Sequence, residues 1–203
     1  MKRILAVLMA VMLVLSLAAC GGDTKKNTTT TEAAGNGGVT QAKHYDALEV
    51  LNTTWAAYPE DQKFPVAGGD FSEENINWEG PGKHSIEGED NIANLTASYQ
   101  FPEAEIAKLN GAATLMHGMM VNNFACGAYN VTNAEDIAAV ADAVKNSIAN
   151  AQWMCGQPEG YVVITLGDCV ISYFGLNDVI TNFTTALTTS YADAVVVCNE
   201  TIA

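Results

Sequence analysis

Residues 161–174 read Tyr161-Val-Val-Ile-Thr-Leu-Gly-Asp-Cys-Val-Ile-Ser-Tyr-Phe174. Two runs rich in β-branched and aromatic residues flank Gly167-Asp168. A two-residue loop with glycine first is the signature of a type II′ hairpin. In such a loop Leu166 and Cys169 stand opposite each other and point the same way. Val162, Ile164 and Leu166 therefore share a face with Cys169, Ile171 and Tyr173, and Tyr161, Val163 and Thr165 share the other with Val170, Ser172 and Phe174. Both faces are too apolar to lie bare in water.

The flanks extend the pattern on either side. Residues 124–131 predict a strand, and Thr132-Asn-Ala-Glu135 has the spacing of a capping box. The helix behind it carries Ile137, Val140, Ala141, Val144 and Ile148 on one side. After the hairpin, Asn177 or Asp178 caps a helix with Ile180, Phe183 and Leu187 inward, and residues 194–199 predict a last strand. The order β-α-β-β-α-β is that of a ferredoxin-like fold. Right-handed crossovers would arrange its strands 4-1-3-2 in one antiparallel sheet, with both helices on the face of Leu166 and Cys169. The fold class is thus α+β, with two additional N-terminal helices.

Those helices are expected at residues 42–58 and 102–120. The first carries Tyr45, Leu48, Leu51 or Asn52, and Trp55 at helical spacing, and Pro59 limits it. In the second, Pro102 suits a first turn, and Ile106, Leu109, Ala113, Met116 and Met120 form a stripe bordered by His117. Their apolar sides are the expected cover for Tyr161, Val163, Val170 and Phe174. If a partner covers these four instead, they are the interaction face. Between the helices, residues 60–90 are irregular and acidic, with Phe71, Ile76 and Trp78 expected to pin the segment to the domain. The segment lacks the EF-hand pattern, since position six from Asp70 is Asn75 and not glycine.

The N-terminus decides location. Lys2 and Arg3 precede an apolar run from Ile4 to Leu17, which has the length of a signal-peptide core and is short for a membrane span. Leu17-Ala18-Ala19-Cys20 then resembles a bacterial lipobox, in which the thiol is alkylated by diacylglycerol and the chain is cut before it. The resemblance implies a signal peptide over residues 1–19 and a membrane anchor at Cys20, on the extracytoplasmic side. Two acyl chains suffice for stable anchoring. Residues 21–38, GGDTKKNTTTTEAAGNGG, have the composition of a tether. One domain follows over residues 39–203, its helical and acidic part at 39–121 and its βαββαβ part at 122–203.

The whole chain has 9 basic and 23 acidic residues, a formal charge of −14. Removal of Lys2 and Arg3 with the leader deepens this to about −16. Such a charge repels nucleic acid and anionic headgroups and attracts basic partners. Cys126, Cys155, Cys169 and Cys198 remain besides Cys20, and none stands in a CxxC pair. A Cys126–Cys169 or Cys126–Cys198 bridge is open to the predicted order if both thiols share a face.

Taken with the lipobox, Asn110-Gly-Ala-Ala-Thr-Leu-Met-His117, the strand at 124–131, Gln152-Trp-Met-Cys155 and the hairpin, the chain resembles small Gram-positive surface lipoproteins of a domain-of-unknown-function family. Some members carry the label bacteriocin transport accessory protein. The resemblance implies no catalytic motif and no cofactor. The expected function is therefore a non-enzymatic binding or accessory domain, monomeric and held at the membrane, with a surface or transport protein as partner. The alternatives are a peptide-transport accessory role, a thiol-dependent activity built on Cys155 and His117, or solute or metal binding by the acidic loop. No metal site and no catalytic residue is expected.

Overall fold

The computed structural model describes residues 42–154 and 156–202. The segments expected as leader and tether, Cys20 and Cys155 lie outside the described residues.

The hairpin forms β5 (Gly160–Leu166) and β6 (Cys169–Gly175), with Leu166 opposite Cys169. Gly167 takes φ 55°, and a Cβ there would collide with the Lys43 carbonyl. The residues part into the two expected faces. Val162, Ile164, Leu166, Cys169, Ile171 and Tyr173 enter one core, and Tyr161, Val163, Val170 and Phe174 enter a second.

Around the hairpin stands a seven-stranded antiparallel sheet. The other strands are β1 (Val66–Ala67), β2 (Gly82–His84), β3 (Leu109–His117), β4 (Phe124–Val131) and β7 (Val195–Thr201). The order is β1-β3-β4-β6-β5-β7, with β2 also paired to β3. Four helices cover it: α1 (Ala47–Ala57), α2 (Glu89–Tyr99), α3 (Ile137–Ala149) and α4 (Asn177–Ser190). The mixed helix-and-strand class holds, and β4-α3-β5-β6-α4-β7 follows the expected chain order, but the expected 4-1-3-2 strand arrangement does not form. In that numbering the last four strands run 1-3-2-4, because β3 takes the edge of β4 where the last strand was expected. β7 pairs with the free edge of β5 instead.

That exchange also moves a helix. The crossovers β4-α3-β5 and β6-α4-β7 travel the same way across the sheet from strands of opposite direction. Two right-handed crossovers of that kind must lie on opposite faces. Accordingly α4 packs with α1 on the Leu166 face, and α3 packs with α2 on the Phe174 face. Each face is thus covered by one helix from either half of the chain.

The segment expected as a helix at 102–120 is a 3-10 stretch, Glu103–Lys108, followed by β3. Ala113 and Leu115 enter one core while Ala112 and Met116 enter the other. A strand buried on both faces loses its polar alternation, so helix and strand spacing become indistinguishable in its sequence. α2 lies in a stretch for which no element is expected above, and Ile92 packs at its side against the same core as Leu95 and Tyr99. The helix buries only Leu95 and Tyr99. The helix expected at 42–58 begins at Ala47, where the Asp46 side chain accepts from the Glu49 N–H at 2.9 Å. Residues before it run extended across the hairpin turn. The capping box at Thr132 is absent: a 3-10 turn, Ala134–Asp136, precedes α3, and no side chain caps that helix.

Candidate interaction surface

At the end of the sheet where β3 stops, the chain turns at Gly118, whose N–H donates to the Pro65 carbonyl at 2.7 Å. His117 stacks on Phe64, centroids 4.9 Å apart, and its Nδ1 accepts from the Met119 and Met120 N–H groups at 3.1 and 3.3 Å. The ring therefore holds the loop, and burial pushes its pKa down. A nitrogen engaged by two backbone donors is not a free base. Next, Asn122 Nδ2 donates to the carbonyls of Met154 at 3.0 Å and Gly156 at 2.6 Å, joining two loops.

The joined loops expose large apolar side chains. Met154 is 82% and Met119 77% accessible, with Met120 and Val121 also exposed. Beside them is a cleft of about 150 Å³ lined in part by Gln100, Asn122, Trp153 and Met154. Its floor reaches Phe174, on whose ring Trp153 packs with centroids 4.7 Å apart. Four such side chains on two connected loops are more than the scattered exposure normal for a surface. Methionine, unbranched and polarizable, suits a surface that must adapt to a partner.

The four residues read from sequence as a candidate interaction face lie beneath the surface and not on it. Tyr161, Val163, Val170 and Phe174 are at most 2% accessible and pack under α2 and α3. The chain itself covers them, so they are core and not surface. Phe71 and Trp78, expected to pin the acidic segment, are exposed, and Ile76 is only half-buried.

Cys126, Cys169 and Cys198 are free and buried, and burial pushes all three thiols up. Cys126 and Cys198 lie in different cores, three strands apart. Cys126 stands opposite Tyr173 while Cys169 stands opposite Asn130. That is a displacement of four residues, roughly 13 Å at strand rise, too far for a bridge. His84 is buried, with Nδ1 on the Ser85 carbonyl and Nε2 on Asn94 Oδ1.

Polar clusters at the surface have structural duties. His44 Nδ1 lies 2.6 Å from Asp168 Oδ2, and the Tyr45 N–H donates to Asp168 Oδ1 at 2.9 Å. Buried Asn130 accepts from the Ala47 N–H at 3.0 Å and donates to the Tyr45 carbonyl at 2.6 Å. These bonds fasten the chain ahead of α1 to the hairpin turn. In the acidic segment, Asp70 accepts from the Ser72 N–H and hydroxyl, the Asn75 amide and the Ser85 N–H. Burial alone would raise its carboxyl; the four donors outweigh that and hold it down to about 2.

Among the described residues, no group of three or more His, Cys, Asp or Glu could hold a metal ion. No helix among them is long and apolar enough to cross a membrane. Compared with protein-family models, curated proteins and solved structures, the chain shows no significant match.

Proposed function

We propose that this protein is an extracytoplasmic lipoprotein, anchored through Cys20, whose folded part is a non-enzymatic binding or accessory domain. The observation that supports the binding role is the joined pair of loops exposing Met119, Met120, Val121 and Met154. The leader and Leu17-Ala18-Ala19-Cys20 support the anchor. A surface or transport protein of the same membrane is the partner class that location favours.

The test is site-specific photocrosslinking in the native membrane. A crosslinker at Met119 or Met154 should trap the same partner, and one at exposed Asp142 on α3 should not. Equal trapping from all three positions would sink the proposed surface. Cys20→Ala tests the anchor separately, since it should abolish acyl labelling and leave the precursor uncut.

A further inference from the structure

Phe71 and Trp78 form a second exposed pair, carried by different residues from the methionine loops. Trp78 is 69% and Phe71 43% accessible. Their ring centroids are 6.4 Å apart with planes at 58°, so the rings do not cover each other's faces. Phe71 sits at φ 61°, an outlier for an aromatic residue. Asp70 beside it, with its four donors, holds the loop in that shape.

The charge around the rings is one-sided. Residues 60–90 carry nine carboxylates against Lys63 and Lys83. Lys63 is already paired with Glu60 and lies over the Trp55 ring. Glu73 and Glu74, in the turn after Phe71, and Glu79, next to Trp78, have no ion-pair partner among the described residues. Exposed aromatic side chains with unpaired carboxylates close by in the chain match a planar cation. The rings attract it through their quadrupole, and the carboxylates accept its N–H groups in a fork.

We propose that Phe71, Trp78, Glu73, Glu74 and Glu79 form a docking site for an arginine-bearing, basic segment of another protein. The occupant cannot be supplied by this chain's domain or by a second copy of it. Arg3 is the only arginine in the sequence, and it lies in the leader. A metal ion is not the match, because among the described residues no group of three or more His, Cys, Asp or Glu is placed to hold one.

The probe is a blocked hexa-arginine peptide, with its uncharged citrulline counterpart as control. Calorimetric titration uses the full-length protein in neutral detergent at about 0.15 M salt, where charges more than roughly 8 Å apart are largely screened. The arginine peptide should bind and the citrulline peptide should not. Trp78→Ala changes no charge and touches an exposed side chain, yet should weaken binding about 3- to 10-fold, with Trp78→Phe intermediate. Phe71→Gly should relax the backbone and also weaken binding. Unchanged affinity in a folded Trp78→Ala protein would overturn the site, because attraction to general negative charge survives that substitution. Equal affinity for the citrulline peptide, or no binding of the arginine peptide, would overturn it as well. None of these results bears on the Met119 and Met154 crosslinks.

Discussion

Phe174 separates a covered core from an interaction face, so its substitution is the most informative perturbation of the domain. The side chain is 1% accessible, carries the Trp153 ring at 4.7 Å, and lies in the core closed by α2 and α3. Phe174→Ala removes a buried ring and should cost about 3–5 kcal/mol, depending on how far Trp153 collapses into the space. Domains have about 5–15 kcal/mol in all, so a folded but weakened protein is expected. With m of about 1–3 kcal/mol per M, the urea midpoint should fall by roughly 1–5 M at unchanged m. Phe174→Asp places an unpaired carboxylate in the same spot and should leave no cooperative transition. The assay is urea unfolding followed by circular dichroism, with sedimentation as a second readout. A Phe174→Asp protein with a wild-type midpoint that had lost self-association would refute the reasoning, since only a surface side chain behaves that way.

Other outcomes follow from the same geometry. Asn130→Ala leaves the buried Ala47 N–H and the Tyr45 carbonyl unpaired and should cost roughly 2–4 kcal/mol in urea unfolding, with hydrogen exchange rising first at the start of α1. Asp70 has its folded carboxyl depressed to about 2 from an ordinary 3.8, so its stabilisation is present above pH 4 and is lost as pH falls toward 2. The stability gap between wild type and Asp70→Asn, about 2 kcal/mol at neutral pH, should therefore close over that window; a gap unchanged at pH 2 would contradict it. Thiol titration should find Cys126 and Cys169 unreactive in the folded protein and both reactive in denaturant without reductant, whereas protection persisting in denaturant would mean a bridge. Hydrogen exchange should show β7, an edge strand with Val195, Val196 and Val197 exposed, opening before the strands between β3 and β5.

The methionine surface was hidden from sequence reading by the same residues that form it. Met120 continues the spacing of Met116 and reads as core, until Gly118 turns the chain out of the sheet. Met154 sits in a loop with no periodicity, and the Asn122 side chain ties that loop to the one that follows Met119 and Met120. The exposure of Phe71 and Trp78 is equally non-local, because apolar residues in an irregular segment carry no signal of which side of the loop they occupy. The acidity around them, by contrast, is plain in the sequence.

What the sequence determined by itself is local. The two-residue Gly167-Asp168 loop set the register of β5 and β6 and sorted their side chains into two faces, because a turn type dictates which residues stand opposite. The apolar stripes of α3 and α4 and the basic-apolar-small order ending at Cys20 are of the same kind. Tertiary structure alone decided which strand occupies each sheet edge. β3 and the last strand compete for the edge of β4, and the outcome depends on contacts between residues far apart in the chain. With β3 in place, the last strand joined β5, α4 was carried to the face opposite α3, and Tyr161, Val163, Val170 and Phe174 became core. Periodicity reports which residues seek burial; it does not report against what, and that choice separated the core of this protein from its surface.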